Sequence, residues 1–82
     1  MSAPIYNLYE ENDEGRNEHL GNFSTPELAI AQAERHMDGN NPPFEVEPRN
    51  PGRIIYSWVT RGSRGRMARR VYITDDLVDA TF

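Results

Sequence analysis

At 82 residues the chain has room for one domain and one core, and a domain this small buries only about 60–65% of its unfolded surface, so its stability margin is thin. The absence of cysteine excludes disulfides and thiolate-held zinc, while 37% apolar residues and eight aromatics argue against disorder. The net charge of −4 divides into −8 over residues 1–47, +7 over 48–74 and −3 over 75–82, and all nine cations are arginines.

Ile5-Tyr6-Asn7-Leu8-Tyr9 is short and rich in β-formers and predicts a strand. The polar run 10–17 predicts a turn, and residues 18–23 a second strand returning antiparallel. A helix follows. Ser24 with Glu27 three residues on makes a capping box, with Phe23 and Leu28 as staple; alternatively Thr25 is the cap and Pro26 the first helical residue. Pro26, Ala29, Ile30, Ala33 and Met37 recur at three or four residues and form the inner face. Gly39 is a left-handed stop, and Pro42-Pro43 prevents resumption. Phe44-Glu45-Val46-Glu47 alternates with the period of a half-buried strand. Asn50-Pro51-Gly52 is a type II turn signal. Residues 53–60 form the best strand pattern, with Ile54, Tyr56 and Trp58 opposite Ile55, Ser57 and Val59. After the turn Arg61-Gly62-Ser63-Arg64-Gly65, residues 67–73 return with Met67, Val71 and Ile73 on one side and Ala68, Arg70 and Tyr72 on the other. Arg69 falls on the apolar side and breaks the alternation. Residues 74–82, with Asp75, Asp76 and Asp79, form an acidic tail, read as a short helix capped by Thr74 or a loose end. The expected fold is a single α+β domain over 1–82: two layers, one helix on an antiparallel sheet of four to five strands, in the order β-β-α-β-β-β.

Catalytic chemistry has little support. Glu10-Glu11-Asn12-Asp13-Glu14-Gly15 matches the start of a calcium loop, but the twelfth position, which needs a bidentate glutamate, is Gly21. His19 and His36 are not spaced as a metal pair. Ser24, Ser57 and Ser63 have local structural roles, and 61–65 lacks the lysine and following helix of a phosphate loop. No enzyme activity, cofactor or metal is expected. The opening residues lack a basic, apolar leader and no segment approaches the roughly 20 apolar residues of a membrane span, so a cytoplasmic location without membrane partners is expected.

The feature that draws a functional reading is the arginine hairpin: Arg61, Arg64 and Arg66 at the turn, Arg69 and Arg70 on the strand after it, with Trp58 and Tyr72 as aromatic anchors. Arginine and aromatics together suit a protein interface. They also suit nucleic acid, through phosphate contacts and stacking, although the acids elsewhere would repel a duplex. A third reading pairs the arginines with the protein's own acids or those of a second copy. The acidic first half can itself be read as a surface mimicking nucleic acid, or as a solvated face. An exposed apolar sheet face would favour a homodimer.

The run from Phe23-Ser24-Thr25-Pro26-Glu27 through Ala33, followed by Asn50-Pro51-Gly52 and three short strands, resembles small phage-encoded proteins, among them inhibitors of type I CRISPR complexes (anti-CRISPR proteins). The resemblance covers residues 5–73 at the level of layout. It implies a protein acting in a host cytoplasm that blocks a guide-RNA complex by occupying a protein groove. The leading expectation is therefore a small non-catalytic protein-binding module, with a nucleic-acid-binding module on the same arginines as the alternative.

Overall fold

A computed structural model describes residues 2–50 and 52–79. The elements in chain order are β1 (Ser2–Asn12), β2 (Asn17–Phe23), α1 (Pro26–Met37), β3 (Glu45–Val46), β4 (Ile54–Arg61) and β5 (Met67–Asp79), with a 3₁₀ turn at Ser63–Gly65. The protein is α+β: one helix and a five-stranded antiparallel sheet ordered β2-β1-β5-β4-β3. No helix among the described residues is long and apolar enough to cross a membrane.

Several details depart from the expected layout. The first strand runs to Asn12, so Glu10 and Glu11 lie in the sheet and only Asn12 to Arg16 make the turn. The third strand shrinks to two residues. Residues 74–79, expected as tail, continue β5 and pair with β1 down to Ser2↔Asp79; residues 80–82 lie outside the described residues. Neither Glu10-Glu11 nor Thr74-Asp75-Asp76 carries an apolar alternation, because their support comes from the neighbouring strand rather than from a core.

Thr25, not Ser24, is the cap of α1. Its hydroxyl accepts from the Leu28 amide at 3.2 Å, and Pro26 opens the helix where its missing N–H is an orphan anyway. Leu28 stays 53% exposed and staples nothing. Gly39 takes φ +75°, the left-handed stop expected of it. Thr25→Ala should cost about 1 kcal/mol, a fall of roughly 4–8 °C in melting temperature for a domain of this size. Ser24→Ala should leave the melt unchanged, and equal losses from the two would refute the assignment.

The inner helix face packs as its spacing requires. Ala29 and Ala33 are fully buried with Leu8, Val71 and Ile73, and Ile30, Met37, Phe23 and Trp58 close around them. Small alanines let the helix lie close to the strands, chiefly β1, β2 and β5. Register then sorts every side chain. Leu8↔Ile73, Glu10↔Val71 and Trp58↔Val71 lie on the helix side; Tyr9↔Tyr72, Glu11↔Arg70 and Val59↔Arg70 lie on the open side. A bulge between Ile54 and Tyr56 shifts the pairing of β4, so its expected strict alternation holds only from Tyr56 onward.

Candidate functional site

The hairpin β4–β5 brings Arg61, Arg64 and Arg66 to one exposed tip. The turn is closed by backbone bonds from Gly62 N to Arg66 O at 2.8 Å and from Gly65 N to Gly62 O at 3.2 Å, and the Arg61 guanidinium caps the Gly65 carbonyl at 3.1 Å. Arg64 holds φ +67° inside the 3₁₀ turn. A side chain there crowds the following carbonyl, at a cost of roughly 1–2 kcal/mol that glycine would not incur. Among the described residues none of the three guanidiniums forms an ion pair with a carboxylate. The acidic tip of the β1–β2 hairpin, with Asp13 and Glu14, emerges from the same end of the sheet, since Asn12 pairs with Arg69.

Arg69 and Arg70 do something else. Arg69 lies on the helix side, and the broken alternation of its strand is thereby explained. Its Nε donates to Glu10, its Nη1 donates to Asn40 at 2.8 Å, and its guanidinium sits 5.4 Å from the centre of the Phe44 ring. Glu10 also accepts from Nε2 of His36, so one carboxylate joins β1, β5 and the last turn of α1. Burial alone would push the Glu10 carboxyl up; the hydrogen bonds and positive charges of Arg69 and His36 outweigh it and hold the carboxyl below its ordinary value.

On the open face Arg70 forms a clamp. Its Nε and Nη2 donate to the two oxygens of Glu47 at 2.7 and 3.3 Å, and its Nη1 donates to Glu11 at 2.9 Å. The hydrogen bond to Glu47 raises the Arg70 pKa, partial burial opposes it, and Glu11 adds to the rise. Glu47 in turn is pushed up by burial but brought below its ordinary value by Arg70, and the charge of Arg61 adds to that. The reading in which the arginines pair with the protein's own acids thus holds for Arg69 and Arg70, while among the described residues the three at the tip have no carboxylate paired to them.

The two aromatics part company. Tyr72 lies on the open face, stacked on Tyr9 at 5.2 Å, and donates to Asn17 at 2.6 Å. Burial, the Glu11 charge and Tyr9 push its hydroxyl pKa up, so it stays a donor. His19 adds a third ring, 5.1 Å from Tyr9. Trp58 lies on the helix side, half-buried against the core, and lines a cleft with Tyr56. The seven residues expected to form one site therefore divide into an arginine tip, two internal ion clusters, an aromatic stack on one face and Trp58 on the other.

Sequence reasoning missed Glu10, Glu11, Glu47 and Asn40 as arginine partners, and His36 as a second partner of Glu10. One signal was present: Arg69 at an apolar-side position demands a buried acceptor. No family model matches the chain, and comparison with curated proteins and with solved structures finds no match.

Proposed function

We propose that the protein is a small non-catalytic binding module that uses the tip Arg61, Arg64 and Arg66 to engage an acidic surface on another protein. One observation carries this reading. Of the five hairpin arginines, two are consumed by internal carboxylates, whereas three are exposed together with no carboxylate paired to them among the described residues. Guanidinium forks presented this way match carboxylates two-point, and arginine is among the commonest interface anchors. The left-handed Arg64 supports it: a strained non-glycine residue costs the fold and contributes nothing to the core. The resemblance to CRISPR inhibitors of phage origin is consistent with action by occupying a partner's groove, as an analogy of layout.

Binding of nucleic acid is the weaker alternative. The stacking aromatics Tyr9, His19 and Tyr72 lie on the open face near Glu11, so a base stacked there would meet a carboxylate.

The test is affinity capture from the native host with wild type, Arg64→Gly and Arg64→Glu/Arg66→Glu, read by mass spectrometry and followed by titration of the purified partner. Arg64→Gly should keep or raise the melting temperature, because it relieves the left-handed strain, yet weaken capture. The double reversal should weaken it about 100-fold or more, as loss of interface anchors does. Undiminished capture by the double variant would remove the tip from the site. A labelled oligonucleotide bound by wild type with a steep salt dependence would instead favour nucleic acid.

A further inference from the structure

A five-stranded sheet with strands about 4.8 Å apart is roughly 20 Å wide, and one helix is about 10 Å across. A single helix therefore covers about half of one face. The helix α1 sits over β1, β2 and β5, and Asn40 and Phe44 reach across to Arg69, so on the helix side β4 is covered at Thr60, 2% exposed, and open at Tyr56, beside Val46 of β3. The gap is a cleft of about 390 Å³ whose apolar lining is Ile55, Tyr56, Trp58, Val46 and, from the helix, Ile30, and whose remaining lining is polar, with Glu47, Asn50 and Ser57. Two of its apolar residues are open, Val46 at 72% and Tyr56 at 41% exposed, while Ile30, Ile55 and Trp58 are half-buried. Apolar surface gathered like this, rather than scattered singly, marks a docking site.

The helix beside the cleft is charged. Glu27 and Glu34 stand three residues before and four residues after Ile30, which places them on the helix flank that carries Ile30, outside the lining of the cleft itself. Both are exposed, and neither forms an ion pair or side-chain hydrogen bond among the described residues. An apolar floor beside an acidic ridge, in the space where a second helix of the layer would lie, specifies its occupant. We infer that this cleft receives a basic amphipathic helix of another protein, laid beside α1 with its apolar stripe on Tyr56, Trp58 and Val46 and its cations toward Glu27 and Glu34. A second copy of this chain fits poorly, because α1, the one α-helix among the described residues, carries the same two glutamates to the contact and like charges would meet. The site is separate from the arginine tip and opposite to it in sign.

Trp58 is the chain's one tryptophan, so its fluorescence reports on the cleft directly. The probe is a labelled amphipathic helical peptide with a leucine stripe and lysines flanking it, against a control with glutamate in place of lysine. The lysine peptide should bind, shift the Trp58 emission and be at least about 10-fold tighter than the glutamate peptide, as expected for complementary against like charge. Glu27→Lys/Glu34→Lys, on exposed positions that leave the core intact, should invert that preference. Val46→Glu should abolish binding, while Arg64→Gly should leave it unchanged, which keeps this test independent of the tip. Equal affinity for both peptides, binding by neither, or insensitivity to Glu27→Lys/Glu34→Lys would overturn the inference. So would a wild-type dimer in sedimentation that Val46→Glu converts to monomer, because the occupant would then be a second copy.

Discussion

Replacing Arg70 with leucine should lower the melting temperature by roughly 10–20 °C, among the largest effects of any side chain outside the apolar core. The guanidinium makes three charge-assisted bonds, two to Glu47 and one to Glu11, and so joins β5 to β1 on one side and to the segment after β3 on the other. To reach Glu47 the side chain passes over Val59, its register partner in β4, which is only 3% exposed on a face that no helix covers. The stem therefore shields apolar surface while the head binds acids. Without it, Glu47 at 12% and Glu11 at 23% side-chain exposure keep their charges and lose their cation. Hydrogen bonds to charged groups contribute about 1.5–3 kcal/mol, and stranding partly buried carboxylates adds to the loss. A total near 2–3 kcal/mol corresponds to the stated shift at this chain length. It is a large share of the roughly 4–12 kcal/mol expected for 82 residues. Leucine at position 70 combined with Glu47→Leu should recover part of the loss, because the Glu47 charge goes with its cation while Glu11 still loses its partner. Arg70→Lys should not, since an ammonium cannot bridge both oxygens of Glu47 and reach Glu11 as well. Thermal melts followed by circular dichroism decide it, and an Arg70→Leu protein melting within a few degrees of wild type would refute the clamp.

The parts of the fold that local pattern controls were legible. Thr25-Pro26 and the alanine spacing mark the helix, Gly39 its end, and Tyr56 to Arg61 the strand before the arginine turn. What was not legible depends on partners far along the chain. Glu10 reads as part of a solvated turn until Arg69, 59 residues later, is laid beside it by the pairing of β1 with β5. Glu11 and Arg70 are matched across the same distance on the opposite face. The arginine hairpin could be recognised as a group, but that Arg69 and Arg70 are ion-paired, while among the described residues Arg61, Arg64 and Arg66 are not, follows from which side of β5 Arg69 and Arg70 face and which acid the neighbouring strand supplies there. Local periodicity carried half of that information, since it placed Arg69 on the apolar side; register carried the rest. The cleft beside Trp58 was hidden for a different reason: it is defined by where the helix does not reach.

Acid should loosen the helix, and Glu10 should be a main cause. Its carboxylate is 14% exposed and accepts from both Arg69 and His36, which holds its folded pKa below the ordinary carboxylate value. In the unfolded chain the same group titrates near about 4.3. The unfolded state therefore takes up the proton first as pH falls. The stability contributed by Glu10 is fully present above the unfolded value and is lost progressively as pH drops through the folded one. Between pH 7 and about 5 the contribution should be flat; below about 4 the denaturation midpoint should fall. Glu47 is lowered in the same sense and adds to this slope from the other face. The two are separable. Glu10→Gln should reduce stability at neutral pH, because an amide cannot replace a carboxylate between two cationic or N–H donors, and should flatten the acid limb. Glu47→Gln should flatten it without touching the helix. Local opening discriminates further: because Glu10 is bonded to His36 in the last turn of α1, Glu10→Gln at neutral pH should speed amide exchange over residues 33–40 selectively. An acid limb in Glu10→Gln as steep as in wild type, or exchange accelerated evenly across the domain, would show that this carboxylate does not fasten the helix to the sheet.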